Sequence, residues 1–400
     1  MTKKENKIQP VSETTFRMLF ALSAIHFLND ALQALLTASY PLLKDDLLLS
    51  FGQIGMITLI YQCSASVFQP FVGYFFDKRP AAWSLPFGMM FTMVGLISLA
   101  FAGSLRMVFV SVSLVGMGSS VIHPEAAKLT SMASGGKRGM AQSLFQVGGN
   151  LGGSLGPVLI ALFVSPFGRH YLAFFTILSL LAISIAIPVS KWYKRTLQVI
   201  SEKMKEQNRE KLLRQPLGTT IYTIIILLVL IFSKYVYMAS LQSYYTFFLI
   251  HKFGVTIPTS QLLLFVFLSA TAIGTILGGP LSDKIGRKYV IWISILGASP
   301  FALWMPHVSL VWTVVLSFCT GLVLASAFPS IIVYAQELLP GKLGLISGLF
   351  YGFAFGIGGI ASAVLGKIAD IHGIETVYQM CSFMPLLGII AFFLPDLRKR

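Results

Sequence analysis

Residues 192–216 read WYKRTLQVISEKMKEQNREKLLRQP, and this polar stretch decides how the rest of the chain is organised. On either side of it the sequence is overwhelmingly apolar. Charged types make up only 11% of the 400 residues, less than half of the roughly 25% usual in soluble proteins. Hydrophobic types make up 55%, and a mean hydropathy of +0.77 places most of the chain in lipid. Twelve membrane helices need roughly 240 mostly apolar positions at about 20 each, a demand of the size this chain supplies. A soluble enzyme, a disordered tail protein and a secreted disulfide scaffold are excluded. The three cysteines, Cys63, Cys319 and Cys381, all fall in apolar runs, so packing is expected of them, with no disulfide framework and no metal-ligand spacing.

Working outward from the linker, apolar runs predict twelve spans. They cover 16–41, 52–76, 82–103, 106–131, 139–165 and 169–191 before it, then 217–250, 259–282, 288–306, 309–335, 343–369 and 374–395 after it. The expected organisation is a six-helix bundle in 1–191, a cytoplasmic linker in 192–216 and a second bundle in 217–400. If both termini are cytoplasmic, inside segments hold 23 Lys and Arg while outside segments hold only Lys44, Arg106, Arg169, Lys252 and Lys367. That asymmetry follows the positive-inside rule, and it accounts for the net charge of +15 without nucleic acid. The first seventeen residues are polar and carry no apolar cleavable region.

The halves also match each other at an offset near 205. GYFFDK at 73–78 meets GPLSDK at 279–284, Gly116 and Pro124 meet Gly321 and Pro329, and SLF at 143–145 with Gly153 meets GLF at 348–350 with Gly358. Six spans per half keep both copies in the same orientation. The expected fold is therefore an all-α integral membrane protein of two parallel six-helix repeats, with a binding site at their interface near the midplane.

The six-plus-six layout, DKIGRK at 283–288 and the basic central linker resemble the major facilitator superfamily. HFLNDALQ at 26–33, GMGSSVIHPEAAKL at 116–129, MASGGKRG at 132–139, FSKYVYMAS at 232–240 and VYAQELLPG at 333–341 are similar to its fosmidomycin-resistance branch. The resemblance runs through nearly all twelve spans. It implies that spans one, four, seven and ten line a central cavity, that the membrane is the bacterial cytoplasmic one, and that a phosphonate such as fosmidomycin is the kind of cargo carried. The first-half loop departs from the pattern, with Pro80 following Asp77-Lys78-Arg79 where Gly-Arg-Lys is usual.

Few ionisable residues sit well inside the spans: His26 and Asp30 in the first, His123, Glu125 and Lys128 in the fourth, Lys234 in the seventh. A charge at the bilayer centre costs at least ~2.5–3.5 kcal/mol, so each must face protein or water. Helical rise predicts His26, His123, Glu125 and Lys128 in one layer of the cytoplasmic half, with Asp30 one turn higher. The repeat offset places Lys234 opposite Asn29, so Asp30 and Lys234 are expected to confront each other. Asp30, Glu125, His26 and His123 are the candidate proton-coupling groups, because carboxylates and imidazoles in one cavity make a proton relay. A structural Asp30–Lys234 pair, a local Glu125–Lys128 pair and a satisfied buried His26 are the plainer alternatives.

Lys234, Lys128, Gln146, Asn150, Tyr244 and Tyr245 are the candidate substrate-binding residues, and Gln242 a further contact. The tyrosines read equally as an interfacial belt. Asp77, Asp283 and Arg287 are candidates for gating at the cytoplasmic mouth. GGNLGGSLGP at 148–157 resembles the superfamily's antiporter motif through Gly152, Gly156 and Pro157 but lacks its terminal Gly pair, and tight helix packing is the reading favoured for such a stripe.

The function expected is a proton-coupled secondary transporter, a drug/H+ antiporter exporting small anionic or amphiphilic compounds by alternating access. Import of a phosphorylated or sugar-like metabolite would use the same charges. An intramembrane enzyme or sensor is remote: His123-Pro124-Glu125 is too tightly spaced for HExxH, and no GxxxxGK[ST] loop is present. The partners expected are a small-molecule substrate, protons and the bilayer, with no nucleic acid, no cofactor and a monomeric chain.

Overall fold

A computed structural model describes residues 14–396 except 40–41, 44–45, 50, 165, 207–216, 256 and 340. The basic termini, Lys44 and the second part of the linker lie outside the described residues. The rest is helical, with no strand among the described residues. In chain order the helices are α1 (Phe16–Ala38), α2 (Phe51–Ser66), α3 (Gln69–Lys78), α4 (Ser84–Ala100), α5 (Leu105–Ala133), α6 (Arg138–Leu159) and α7 (Thr176–Glu206). After the linker come α8 (Leu217–Phe253), α9 (Ile257–Ile285), α10 (Arg287–Gly297), α11 (Ser299–Trp304), α12 (Leu310–Ala325), α13 (Ala327–Leu338), α14 (Leu343–His372) and α15 (Ile374–Ser382).

These make twelve membrane passes, because α2–α3, α10–α11 and α12–α13 are each one broken pass and α15 continues as a 3-10 segment through Met384–Phe393. Among the described residues, nine stretches are long and apolar enough to cross by length and hydropathy alone. The other three passes are the broken α2–α3, the 17-residue α4, and α6, which Gln142, Gln146 and Asn150 make more polar. The breaks follow the chemistry of proline, which has no N–H to donate. Pro70 follows the α2–α3 break, Pro300 the α10–α11 break, and Pro329 would owe its bond to Ala325, where α12 ends. Pro124 does not break its helix: α5 runs on through it.

Large apolar side chains such as Phe71, Phe174, Trp312, Ile360 and Phe392 stand exposed on the outside, as a lipid-facing surface requires. Inside the first bundle, α6 lies directly on α1. Gly148, Gly152 and Gly156 press against the backbone of Ser23, Phe27 and Ala34, so this glycine stripe is a packing seam. In α14 the packing loosens along the helix: a Cβ on Gly356, Gly358 or Gly359 would come no nearer than 3.7 Å to a neighbour, and Gly358 and Gly359 line a cavity.

The two bundles touch at the end that carries the basic loops. There α3 meets α14 and α6 meets α9. Both crossings are glycine on glycine: a Cβ on Gly73 would strike the carbonyl of Gly344, and one on Gly279 that of Gly139. Between the bundles, lined by the middle parts of α2, α6, α8, α9 and α14, lies a cavity of about 400 Å³.

Candidate functional site

The contact end is held by two reciprocal caps. Asp77, at the end of α3, accepts hydrogen bonds from the backbone N–H groups of Gly344 and Leu345 at 2.9 and 2.8 Å, the first turn of α14. Asp283, near the end of α9, accepts from Gly139 and Met140 at 3.0 Å each, the first turn of α6. Each half thus places a carboxylate on an unsatisfied helix N-terminus of the other half, where the partial positive charge favours it. The loop that departs at Pro80 keeps this geometry. Around Asp283, Arg287 pairs with it at 3.0 Å and with Glu337 at 3.3 Å, and Arg138 of the first bundle reaches Glu337 at 3.7 Å. Glu337 closes this inter-bundle network; its place in YAQELLP, at a span end, gave no sign of that.

The expected layer of His26, His123, Glu125 and Lys128 is divided in two. Glu125 and Lys128 pair at 2.5 Å and belong to the contact end. Lys128 also donates to the carbonyl of Phe76 at 3.3 Å and approaches Asp77 at 3.8 Å, while Ser84 donates to Glu125 at 3.2 Å. Both residues are buried and committed to these partners. Lys128 therefore does not reach the cavity as a substrate ligand, and Glu125 is separate from the histidines. The three-residue helical spacing brings them together, and Pro124 does not redirect them.

The second group sits beside a smaller cavity of about 230 Å³, lined by Asp30 and His123, which shares Gln62 and Phe355 with the larger one. Asp30 lies 3.2 Å from His26 Nε2 and 3.4 Å from His123 Nε2. The other ring nitrogens are occupied by carbonyls, which only accept. His26 Nδ1 lies 2.7 Å from the oxygen of Phe145, and His123 Nδ1 lies 3.0 Å from that of Ser119. His26 Nδ1 must therefore donate, whereas His123 Nδ1 can donate to that carbonyl or accept from the Ser119 hydroxyl at 3.1 Å, and each Nε2 is left beside a carboxylate oxygen with room for a proton between them. Two buried nitrogens and one carboxylate thus form two proton positions. Asn29 also donates to Asp30 at 3.0 Å. The imidazole of His26 is held by stacking on Phe145 at 4.1 Å and by Gly149 behind it, where a Cβ would meet the ring. Gly149 is a site-shaping residue hidden in what reads as a packing stripe.

Asp30 and Lys234 do not confront each other. Asp30 is taken by the histidines, and Lys234 has no carboxylate within ion-pair distance among the described residues. Lys234 is 5% exposed and lines the larger cavity, its Nζ at 5.5 and 5.3 Å from the rings of Tyr235 and Phe328. Gln146, Asn150 and Gln242 line the same space. Of the two expected tyrosine contacts, Tyr245 is turned into the second bundle, donating to Ser317 at 2.9 Å with no exposure. Tyr244 braces the wall by donating to the carbonyl of Ser362 at 2.5 Å. Phase does not separate them, since 245 falls on the same face of α8 as 234, 238 and 242; Tyr245 lies further along the helix, where Ser317 of α12 takes its hydroxyl.

Asp77 lies beyond its span, and its burial pushes the carboxyl above the ordinary range, only partly offset by the two backbone N–H groups and Lys128.

Comparisons with known proteins complete the description. The family model for the Major Facilitator Superfamily matches residues 22–250 and again 223–400. The fosmidomycin resistance protein of Escherichia coli (strain K12) is 54% identical over 389 residues, covering 97% of this chain and 95% of that protein. An uncharacterized MFS-type transporter, YfnC of Bacillus subtilis (strain 168), is 38% identical over 396 residues, covering 99% and 97%. Among solved structures, the MFS transporter FucP in the outward conformation superposes with a TM-score of 0.74 at 15% identity, covering 94% of this chain and 98% of that one.

Proposed function

The chain belongs to the Major Facilitator Superfamily, and from that premise we propose that it is a proton-coupled exporter of small anionic or amphiphilic compounds of the fosmidomycin class. One observation carries the reading: a site for two protons and an amine with no carboxylate partner among the described residues lie on adjoining cavities that share Gln62 and Phe355. Lys234 supplies the attraction for an anion. Gln146, Asn150 and Gln242 supply hydrogen bonds, and the rings of Tyr235 and Phe328 supply apolar contact. His26, Asp30 and His123 take up and release the coupling protons. We place both termini and the basic loops in the cytoplasm of a bacterium, by the positive-inside rule, and take the chain to act as a monomer.

We take this arrangement to be the one closed at the cytoplasmic end, with the cavity reached from outside. Export then proceeds by rocking the bundles. Breaking the caps of Asp77 and Asp283 opens the cytoplasmic end, where an anion enters and settles at Lys234. Rocking back re-forms the caps and exposes the anion to the outside, where protons load the histidine–aspartate group. Glu125 and Lys128 move with Asp77, so their role belongs to the gate, and no cofactor or metal is needed at any step.

A second reading draws on a specific electrostatic observation. Protons added at the histidines increase the positive charge near the cavity and so reinforce Lys234 toward an anion, which favours carrying both in the same direction. Inverted membrane vesicles separate the two readings. With an acid interior, fosmidomycin accumulates if exchange operates, and collapsing the gradient with nigericin abolishes the accumulation. Accumulation indifferent to both pH gradient and potential sinks proton coupling; gradient-driven depletion selects co-transport.

A further inference from the structure

Tyr351 of α14 lies between the two charge sites and belongs to neither. Its side chain is fully buried, and its hydroxyl is clasped between two side chains of the opposite bundle. Gln142 donates to it at 2.8 Å, and it donates to Gln146 at 3.1 Å; both glutamines are on α6. Gln146 continues to Asn150 at 3.3 Å, and Asn150 to Thr275 of α9 at 3.5 Å. The ring meets the proton site on one face, with its centroid 5.6 Å from that of His123. On the other side it stands edge-on to Phe328 at 5.0 Å, the ring that lies 5.3 Å from the amine of Lys234.

From this geometry we infer that Tyr351 is the positioning residue that couples the two sites, its hydroxyl latching the bundles shut and its ring sealing the proton site from the cytoplasm. The inference rests on the proton-coupled reading above. Two consequences follow from where the bonds run. Because α14 and α6 belong to different bundles, opening the cytoplasmic end must break both hydroxyl bonds and withdraw the ring from His123. The same motion moves Phe328's neighbour, so the packing around Lys234 changes when access to His26, Asp30 and His123 changes. A site reached from one side at a time needs such a plug. Without the ring, the path from His123 toward the contact end of α6 and α14 loses the side chain that fills it.

The hydroxyl and the ring are separable by substitution. Tyr351→Phe keeps the ring and deletes two neutral hydrogen bonds, which shifts the closed–open balance toward open by roughly ten- to thirtyfold. Tyr351→Ala deletes both. The test uses purified full-length protein in proteoliposomes enclosing pyranine, with valinomycin and potassium clamping the potential and no substrate present. Ser143→Cys, a buried position on α6, reports opening through its rate of maleimide labelling from the cytoplasmic side. Phe248→Ala removes an equally buried ring that stacks on Tyr378 inside the second bundle, away from the interface.

The expected result is that wild type, Tyr351→Phe and Phe248→Ala hold the imposed pH gradient while Tyr351→Ala dissipates it. Labelling at Ser143→Cys rises in Tyr351→Phe and not in Phe248→Ala. Retention of the gradient by Tyr351→Ala, or equal leakage from Phe248→Ala, overturns the sealing role. Unchanged labelling in Tyr351→Phe overturns the latch, and this variant suffices if Tyr351→Ala does not fold. Loss of proton-driven transport in wild type itself would instead sink the reading on which the inference rests.

Discussion

Replacing Asp283 by Asn keeps the shape of the side chain and removes the charge that caps α6. The carboxylate accepts from Gly139 and Met140 at 3.0 Å each, and Asn retains only one oxygen for two N–H groups, so its amide nitrogen faces the second donor. Loss of one charge-assisted hydrogen bond costs about 1.5–3 kcal/mol, and removal of the charge from the helix end adds about 0.3–1 kcal/mol. The Arg287 pair joins neighbouring residues of the same bundle, so it persists in both states and adds nothing to the difference. The closed state therefore loses roughly 2–4 kcal/mol relative to the open one, a shift of about thirty- to several-hundredfold.

Asp77→Asn is the informative companion. Its backbone bonds to Gly344 and Leu345 are as short, but burial opposes the Asp77 charge and raises its pKa. A neutral side chain relieves that desolvation, so the substitution costs less there than at Asp283. Labelling of Ser143→Cys by an impermeant maleimide from the cytoplasmic side, in a chain otherwise free of cysteine, reads the shift directly. Rates unchanged in Asp283→Asn would refute the idea that the caps hold the closed end. A larger effect in Asp77→Asn would refute the ranking drawn from burial.

Other outcomes test other parts of the arrangement. Lys234→Ala should weaken binding of an anionic substrate by roughly ten- to a hundredfold, the worth of a charged hydrogen bond, while Lys234→Arg keeps part of it; equal affinities by calorimetry would remove Lys234 from the site. Gly149→Ala drives a methyl into the His26 ring, whereas Gly153→Ala enters open space, so only the former should impair proton-driven transport, through a strain of about 1–3 kcal/mol; identical transport by both would dismiss the positioning of His26. Because the Asp77 pKa is raised in the closed state, that state binds its proton more tightly than the solvated open state does. The contribution is full below the ordinary carboxylate pKa and fades as pH rises through the raised one. Labelling at Ser143→Cys should rise across that interval in wild type and lose this component in Asp77→Asn.

The sequence by itself determined the twelve passes and the two matched halves, since these follow from the number of apolar residues and from motifs that recur at one offset. Helical spacing along a single helix was legible too: Asp30 stands one turn from His26, and Lys128 three residues from Glu125. Tertiary structure alone decided which helices face each other and in what rotation. It separated Glu125 and Lys128 from His26 and His123, gave Asp30 to two histidines in place of Lys234, and set Tyr245 beyond the cavity. It also brought in Gly149, Glu337 and Tyr351, whose importance depends on partners more than a hundred residues away. Hydropathy is a sum over local residues and survives any change in how helices rotate. A charge pair depends on the relative phase of two helices, and that phase is set by close contacts such as Gly73 against Gly344 and Gly139 against Gly279, which exist only once the chain has folded.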